Sequence, residues 1–176
     1  MASATKATRG AVAGNSWTNA ANATADDGSY ATAAPARNGS TSGDWDFAAF
    51  TDGEIPVGST INSVTLRANY KVSTTSSIAS LGIANGNNGS FDAEETDTSE
   101  PTSDADFTTT YNSAPSETDL KTAGRMVARV RAIRGNSNTA VTFSLDYIEI
   151  AVDYTAPASF SPGWATGATK MIGGAF

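Results

Sequence analysis

The chain has 176 residues, a net charge of −7, a pI near 4.4, and neither cysteine nor histidine. The two missing side chains exclude disulfides, thiolate and imidazole metal sites, Cys nucleophiles and every His-based triad. The acidic balance also argues against nucleic acid as a partner.

The length suits one domain plus an arm. Large aliphatic residues are few for that length, so the expected core is a thin β-sandwich with long Ala/Ser/Thr/Gly/Asn loops. Packing against further copies of the chain would then add stability. Residues 1–14, MASATKATRGAVAG, are small and polar with no period and read as a flexible lead. No apolar stretch follows Lys6 and Arg9, which favours a cytoplasmic origin over secretion. No run approaches membrane-spanning length, so no membrane partner is expected.

From residue 15 the chain reads as sandwich. Trp17 precedes a turn at Asp26-Asp27-Gly28 and then Tyr30; Pro35 to Gly43 reads as a loop. Residues 44–50 alternate Trp45, Phe47 and Ala49 as a strand, and Pro56 and Gly58 mark a turn. Residues 60–73 form a second strand with Val64, Leu66, Ala68, Tyr70 and Val72 on one face and Thr65, Arg67, Asn69 and Lys71 on the other. Ile78 to Ala84 is a further short strand. Residues 85–119 hold half of the 18 acidic residues and read as an exposed excursion.

Leu120 to Arg134 fits both a helical stripe and an alternating strand. The Gly135–Asn138 turn that follows favours a strand paired in a hairpin with the next one. That next strand, Ala140 to Thr155, is the longest patterned run. Its apolar set shifts from odd positions (Val141, Phe143, Leu145) to even ones (Ile148, Ile150, Val152), which predicts a β-bulge or a sheet switch at Asp146-Tyr147. Residues 156–176 read as an extended C-terminal arm with spaced apolar anchors.

Three stretches taken in order, SWTNAANATADDGSYATA, IPVGSTINSVTLRANYKVS and NTAVTFSLDYIEIAVDYT, resemble a diverse group of small bacteriophage virion proteins with a jelly-roll-like β-sandwich. The resemblance implies an all-β, antiparallel jelly-roll-like β-sandwich over residues 15–155 and a non-enzymatic structural role in the virion. Capsid decoration (a cement protein) is the first expectation and a tail or neck component the second. The implied partners are further copies of the chain, possibly as a trimer, and major capsid or other virion proteins. The resemblance supplies no catalytic residues and no cofactor, and it assigns the Arg125–Arg134 segment to the last hairpin.

The expected assembly interface combines the arm anchors Phe160, Trp164, Met171, Ile172 and Phe176 with the basic residues Arg125, Arg129 and Arg131. Those arginines, with Arg134, would meet an acidic neighbour or lie on a solvated strand face. Trp17, Tyr30, Trp45 and Tyr70 could form an aromatic platform for sugar, as in a carbohydrate-binding or adhesin module, though core positions are favoured for them. The acid pairs Asp26-Asp27, Asp44/Asp46 and Asp104/Asp106 could hold a hard cation, but turn chemistry and solvated loop charge explain them more simply.

Overall fold

A computed structural model describes residues 1–158. Alternation at period two dominates it. The strands are β1 (Ala2–Ala11), β2 (Ala31–Ala33), β3 (Gly39–Phe47), β4 (Thr60–Val72) and β5 (Ala79–Asn87). They continue as β6 (Ser90–Phe91), β7 (Glu95–Asp97), β8 (Ala105–Thr110), β9 (Met126–Arg134) and β10 (Phe143–Thr155). A 3-10 turn at Ala20–Ala23 and α1 (Glu117–Leu120) are the helical pieces of the described chain.

All the strand pairs are antiparallel, and they fall into two layers. In the first, β10 pairs with β1 and β2 on one side and with β4 on the other, and β8 closes the edge. In the second, β3 pairs with β9, β9 with β5, and β5 with the short β6 and β7. β1 joins the layers: Ala2–Ala7 pair with β10, whereas Thr8, Gly10 and Ala11 pair with β3 across a register shift between Thr8 and Gly10. A bulge bends a strand and increases its twist, which lets one strand pass from sheet to sheet. Buried Thr8 fixes the corner by donating its hydroxyl to the Ala23 carbonyl at 2.9 Å.

The core lies between the layers. Val64, Leu66, Ala68, Tyr70 and Val72 of β4 lie beside Phe143, Leu145, Ile148, Ile150 and Val152 of the neighbouring β10 on the inward face, and all are buried. The opposite layer contributes Trp45, Phe47, Leu81, Ile83 and Val130. Trp17 meets Trp45 edge-on with ring centres 5.8 Å apart, and the Trp45 indole donates to the Ala20 carbonyl at 2.9 Å. Full burial of each large apolar side chain contributes about 1.5–3 kcal/mol.

Several expectations hold. Residues 60–72 present the foreseen faces. The register of β10 against β4 skips between Leu145 and Tyr147, so the apolar set stays inward although its parity changes. Met126, Ala128 and Val130 point inward from a strand, β9.

Other expectations are corrected. Residues 1–14 are not a flexible lead, because the backbone of β1 is needed to pair with both β10 and β3. β3 begins at Gly39, inside the segment read as a loop. The acidic stretch contributes β6, β7 and β8; Glu94 and Asp106 turn onto arginines, whereas Glu100 is buried against backbone N–H groups. β9 and β10 are consecutive but not hairpin partners: the 135–142 connection carries the chain from one layer to the other. The arm anchors Phe160, Trp164, Met171, Ile172 and Phe176 lie outside the described residues.

Candidate functional site

The outer face of the second layer carries a polar cleft of about 560 Å³. Strand alternation builds its floor. Arg129 and Arg131 are outward positions of β9, directly opposite Asp44 and Ser42 of β3. Arg129 donates from Nε and a terminal nitrogen to the two Asp44 oxygens at 2.8 and 2.9 Å. Arg131 makes the same forked contact with Glu94, its Nε lying 2.8 Å from one oxygen. Such bidentate pairs fix both partners in a plane. The hydrogen bonds donated to Asp44 and Glu94 raise the two guanidinium pKa values further above their already high range, so both stay charged.

Phe91, outside the cleft lining, backs Arg129. The Arg129 guanidinium carbon sits 4.0 Å from its ring centre, a cation–π contact. Glycines admit these side chains: a Cβ on Gly82 would stand 2.4 Å from the Glu94 carboxyl carbon, and one on Gly86 would stand 2.6 Å from the Phe91 ring. On the other rim, Asn15 tucks beneath Gly43 and donates to the Asp44 carbonyl at 3.1 Å.

The structure thus gathers two of the three arginines singled out in the sequence and gives each an acidic partner from its own chain. Arg125 lies apart and pairs with Asp119 at 2.9 Å. Glu94 and Phe91 carry no site reading in the sequence, and Asp44 only one as half of a possible cation-holding pair. Gly82 and Gly86 were a usable signal, since a glycine inside a strand marks close approach of another group.

The suggested aromatic platform does not form. Trp17, Trp45 and Tyr70 are core residues, and half-buried Tyr30 receives Lys71 over its ring at 3.9 Å. The acid pairs are engaged elsewhere. Asp27 accepts from the Ser29 backbone N–H at 2.8 Å, Asp46 pairs with Arg9, Asp104 with Lys71 and Asp106 with Arg67. Among the described residues no group of three or more acidic side chains is arranged to hold a metal ion, and no helix is long and apolar enough to cross a membrane.

No family model matches the sequence, and no curated protein is similar enough to count as a match. Solved structures with similar β-sandwiches include a family 16 carbohydrate-binding module, 11% identical, covering 78% of this chain and 86% of its own, with a TM-score of 0.45. The xylan-binding module CBM15 is 19% identical over 90% of this chain and 94% of its own, with a TM-score of 0.43. The N-terminal cellulose-binding domain of Cellulomonas fimi β-1,4-glucanase C is 18% identical over 89% and 90%, with a TM-score of 0.37.

Proposed function

We propose that this chain is a non-catalytic binding module whose polar cleft on β3 and β9 takes a carbohydrate. The observation behind this reading is the pair of forked Arg–carboxylate contacts, Arg129–Asp44 and Arg131–Glu94, held rigid on one sheet face beside Ser40, Ser42 and Asn15. Sugar hydroxyls are both donors and acceptors. A guanidinium with free N–H groups next to a carboxylate with free lone pairs offers both at fixed spacing. Strands place Asp44, Arg129 and Arg131, and Glu94 directly precedes β7, so the spacing needs little ordering on binding. The paired charges cancel locally, which suits a neutral polar ligand.

The test is calorimetric titration of the full chain with a panel of soluble glycans headed by xylan and cellulose oligosaccharides, polymers that two of the similar modules are named for. Binding that falls roughly tenfold in Arg129→Ala supports the reading, in line with loss of a charge-assisted hydrogen bond. No affinity for any glycan would remove it.

The capsid-decoration role drew on the resemblance to phage virion proteins, with the arm and the arginines as its expected interface. Arg125, Arg129 and Arg131 have acidic partners within their own chain, which removes the reason to seek those partners on a neighbour. Mixing the full chain with undecorated capsids tests that role directly: particle coating would favour it over glycan binding.

A further inference from the structure

Among the described residues the ladder of the first layer ends at β8 and, over Ala2–Ala7, at β1; that of the second ends at β6 and β7. An edge strand invites pairing with another chain unless a charged side chain, a proline, a bulge or brevity guards it. β1 carries half-buried Lys6, held by the Ala49 carbonyl and Glu54, and bends at its register shift. β6 and β7 are two and three residues long. β8, with the sequence ADFTTT, runs for six residues without proline or bulge. Its one charge, Asp106, is turned onto Arg67 and Asn69 of β4.

Hydrogen-bond parity fixes which backbone groups lie open. The Tyr111 N–H donates to the Val64 carbonyl at 3.0 Å, so by alternation Thr109–Leu66, Phe107–Ala68 and Ala105–Tyr70 are the bonded pairs of this ladder. Asp106, Thr108 and Thr110 therefore direct their N–H and C=O groups away from β4. All three residues are exposed, and these groups find no backbone partner among the described residues.

The open groups are self-complementary. A two-fold axis through Thr108, normal to the sheet, sets Thr108 opposite Thr108 of a second copy and Asp106 opposite its Thr110. Every open donor then meets an open acceptor, and none is left over; centring on Phe107 or Thr109 would strand an end residue. The side chains agree with this register. Opposite residues share a face, so Thr108 meets Thr108, a favourable cross-strand pair, and half-buried Phe107 meets Thr109. The two Asp106 carboxylates stand four residues apart along the strands, about 13 Å. That exceeds the screening length of about 8 Å at physiological salt.

We propose that β8 is the contact surface for a second copy of this chain, the two β8 strands pairing antiparallel about Thr108 and joining both first layers into one sheet. Such an isologous contact closes at two copies. Because opposite residues share a face, both second layers, and with them both polar clefts, lie on the same side of the joined sheet. The pairing follows from backbone geometry and is independent of the carbohydrate reading. It buries little apolar surface between copies that each carry a net charge of −7, so the dimer is weak, reversible and strengthened by salt.

Sedimentation velocity of the full chain, from micromolar to millimolar concentration, should show the mass rising from the 18.0 kDa of one chain toward twice that, and rising further with added salt. Over the same range, amide exchange at Asp106, Thr108 and Thr110 should slow roughly tenfold, while Phe107 and Thr109, already bonded to β4, keep their rates. Thr108→Pro removes an outward N–H and leaves the β4 ladder intact, so it should hold the chain monomeric. Because the chain lacks cysteine, single thiols report the register. Cα atoms of a bonded antiparallel pair lie about 5.5 Å apart, within disulfide reach. Thr108→Cys in a glutathione redox buffer should therefore link into a covalent dimer much faster than Asp106→Cys, whose counterpart is about 13 Å away. If the proline variant unfolds, the two cysteine variants decide. A chain that stays monomeric, with Thr108→Cys linking no faster than Asp106→Cys, would overturn the pairing. Protection of the Thr108 amide that does not change with concentration would assign the edge to another segment of the same chain and overturn it as well. A dimer that survives Thr108→Pro would lie on a different surface, with the same consequence.

Discussion

The ring of Phe91 occupies the space that a side chain on Gly86 would fill. A Cβ at Gly86 would lie 2.6 Å from Phe91 Cε1 and 3.0 Å from the Val127 carbonyl oxygen. The ring could give way, but the backbone oxygen has little room to do so. Gly86→Ala should displace Phe91, free the Arg129 face and cost about 1–3 kcal/mol as an overpacking substitution. Thermal unfolding checks the stability change. Glycan titration of the same variant should show weakened binding, since Arg129 loses the ring it stacks on.

A second expectation concerns β1. Its backbone supplies the neighbour of β10 in one layer and of β3 in the other. Deletion of residues 2–11 would leave two interior strands with unpaired N–H and C=O groups. The truncated chain should lose cooperative unfolding and aggregate, which circular dichroism and light scattering would reveal. A stable monomer would contradict the bridging role.

Glu100 contributes to acid sensitivity. It is 6% exposed and sits at φ 49°, in the left-handed region. Burial alone would raise its pKa, yet backbone N–H groups of Ala79, Ser77 and Ser76 and the Ser76 hydroxyl bring it below the ordinary carboxylate value. The folded state therefore releases the proton more readily than the unfolded chain. The resulting stability is present above the unfolded pKa, near 4.5, and is lost as pH falls through the lower folded value. Glu100→Gln should turn one acceptor into a donor facing donors, cost about 1–3 kcal/mol at neutral pH, and flatten the acid limb of a pH–stability curve.

Asp146, in the β10 bulge, has the opposite sign. Burial first, then the charges of Asp26 and Asp104, raise its pKa, while the Gly28 N–H at 3.1 Å and the Asp27 backbone oppose the rise. The folded state holds the proton more tightly than the unfolded chain. Stability from this group therefore falls as pH rises from the unfolded value near 3.8 through the raised folded one. Asp146→Asn keeps an oxygen for Gly28 and removes the charge. It should raise the melting temperature at pH 7 by about 1–3 °C, with no gain near pH 3. An equal gain at both pH values would assign the effect to packing rather than charge.

How much of this was legible beforehand differs between strand and site. The faces of β4, the inward set of β9 and the bulge of β10 follow from apolar spacing within one segment, because a strand places alternate side chains on opposite faces. β1 escaped notice because Ala, Ser, Thr and Gly give no such alternation; its position is fixed by backbone pairing, which small side chains permit equally well.

The sequence by itself therefore determined the antiparallel sandwich, its main buried faces and the absence of thiol and imidazole chemistry. Which sheet each strand joins, and so which charge meets which, was decided only in three dimensions. Asp44 and Arg129 are 85 residues apart, and Glu94 and Arg131 are 37 apart. No local period links such residues. Their meeting depends on β9 pairing with β3 and β5 instead of folding back on β10, a choice made by the whole core at once.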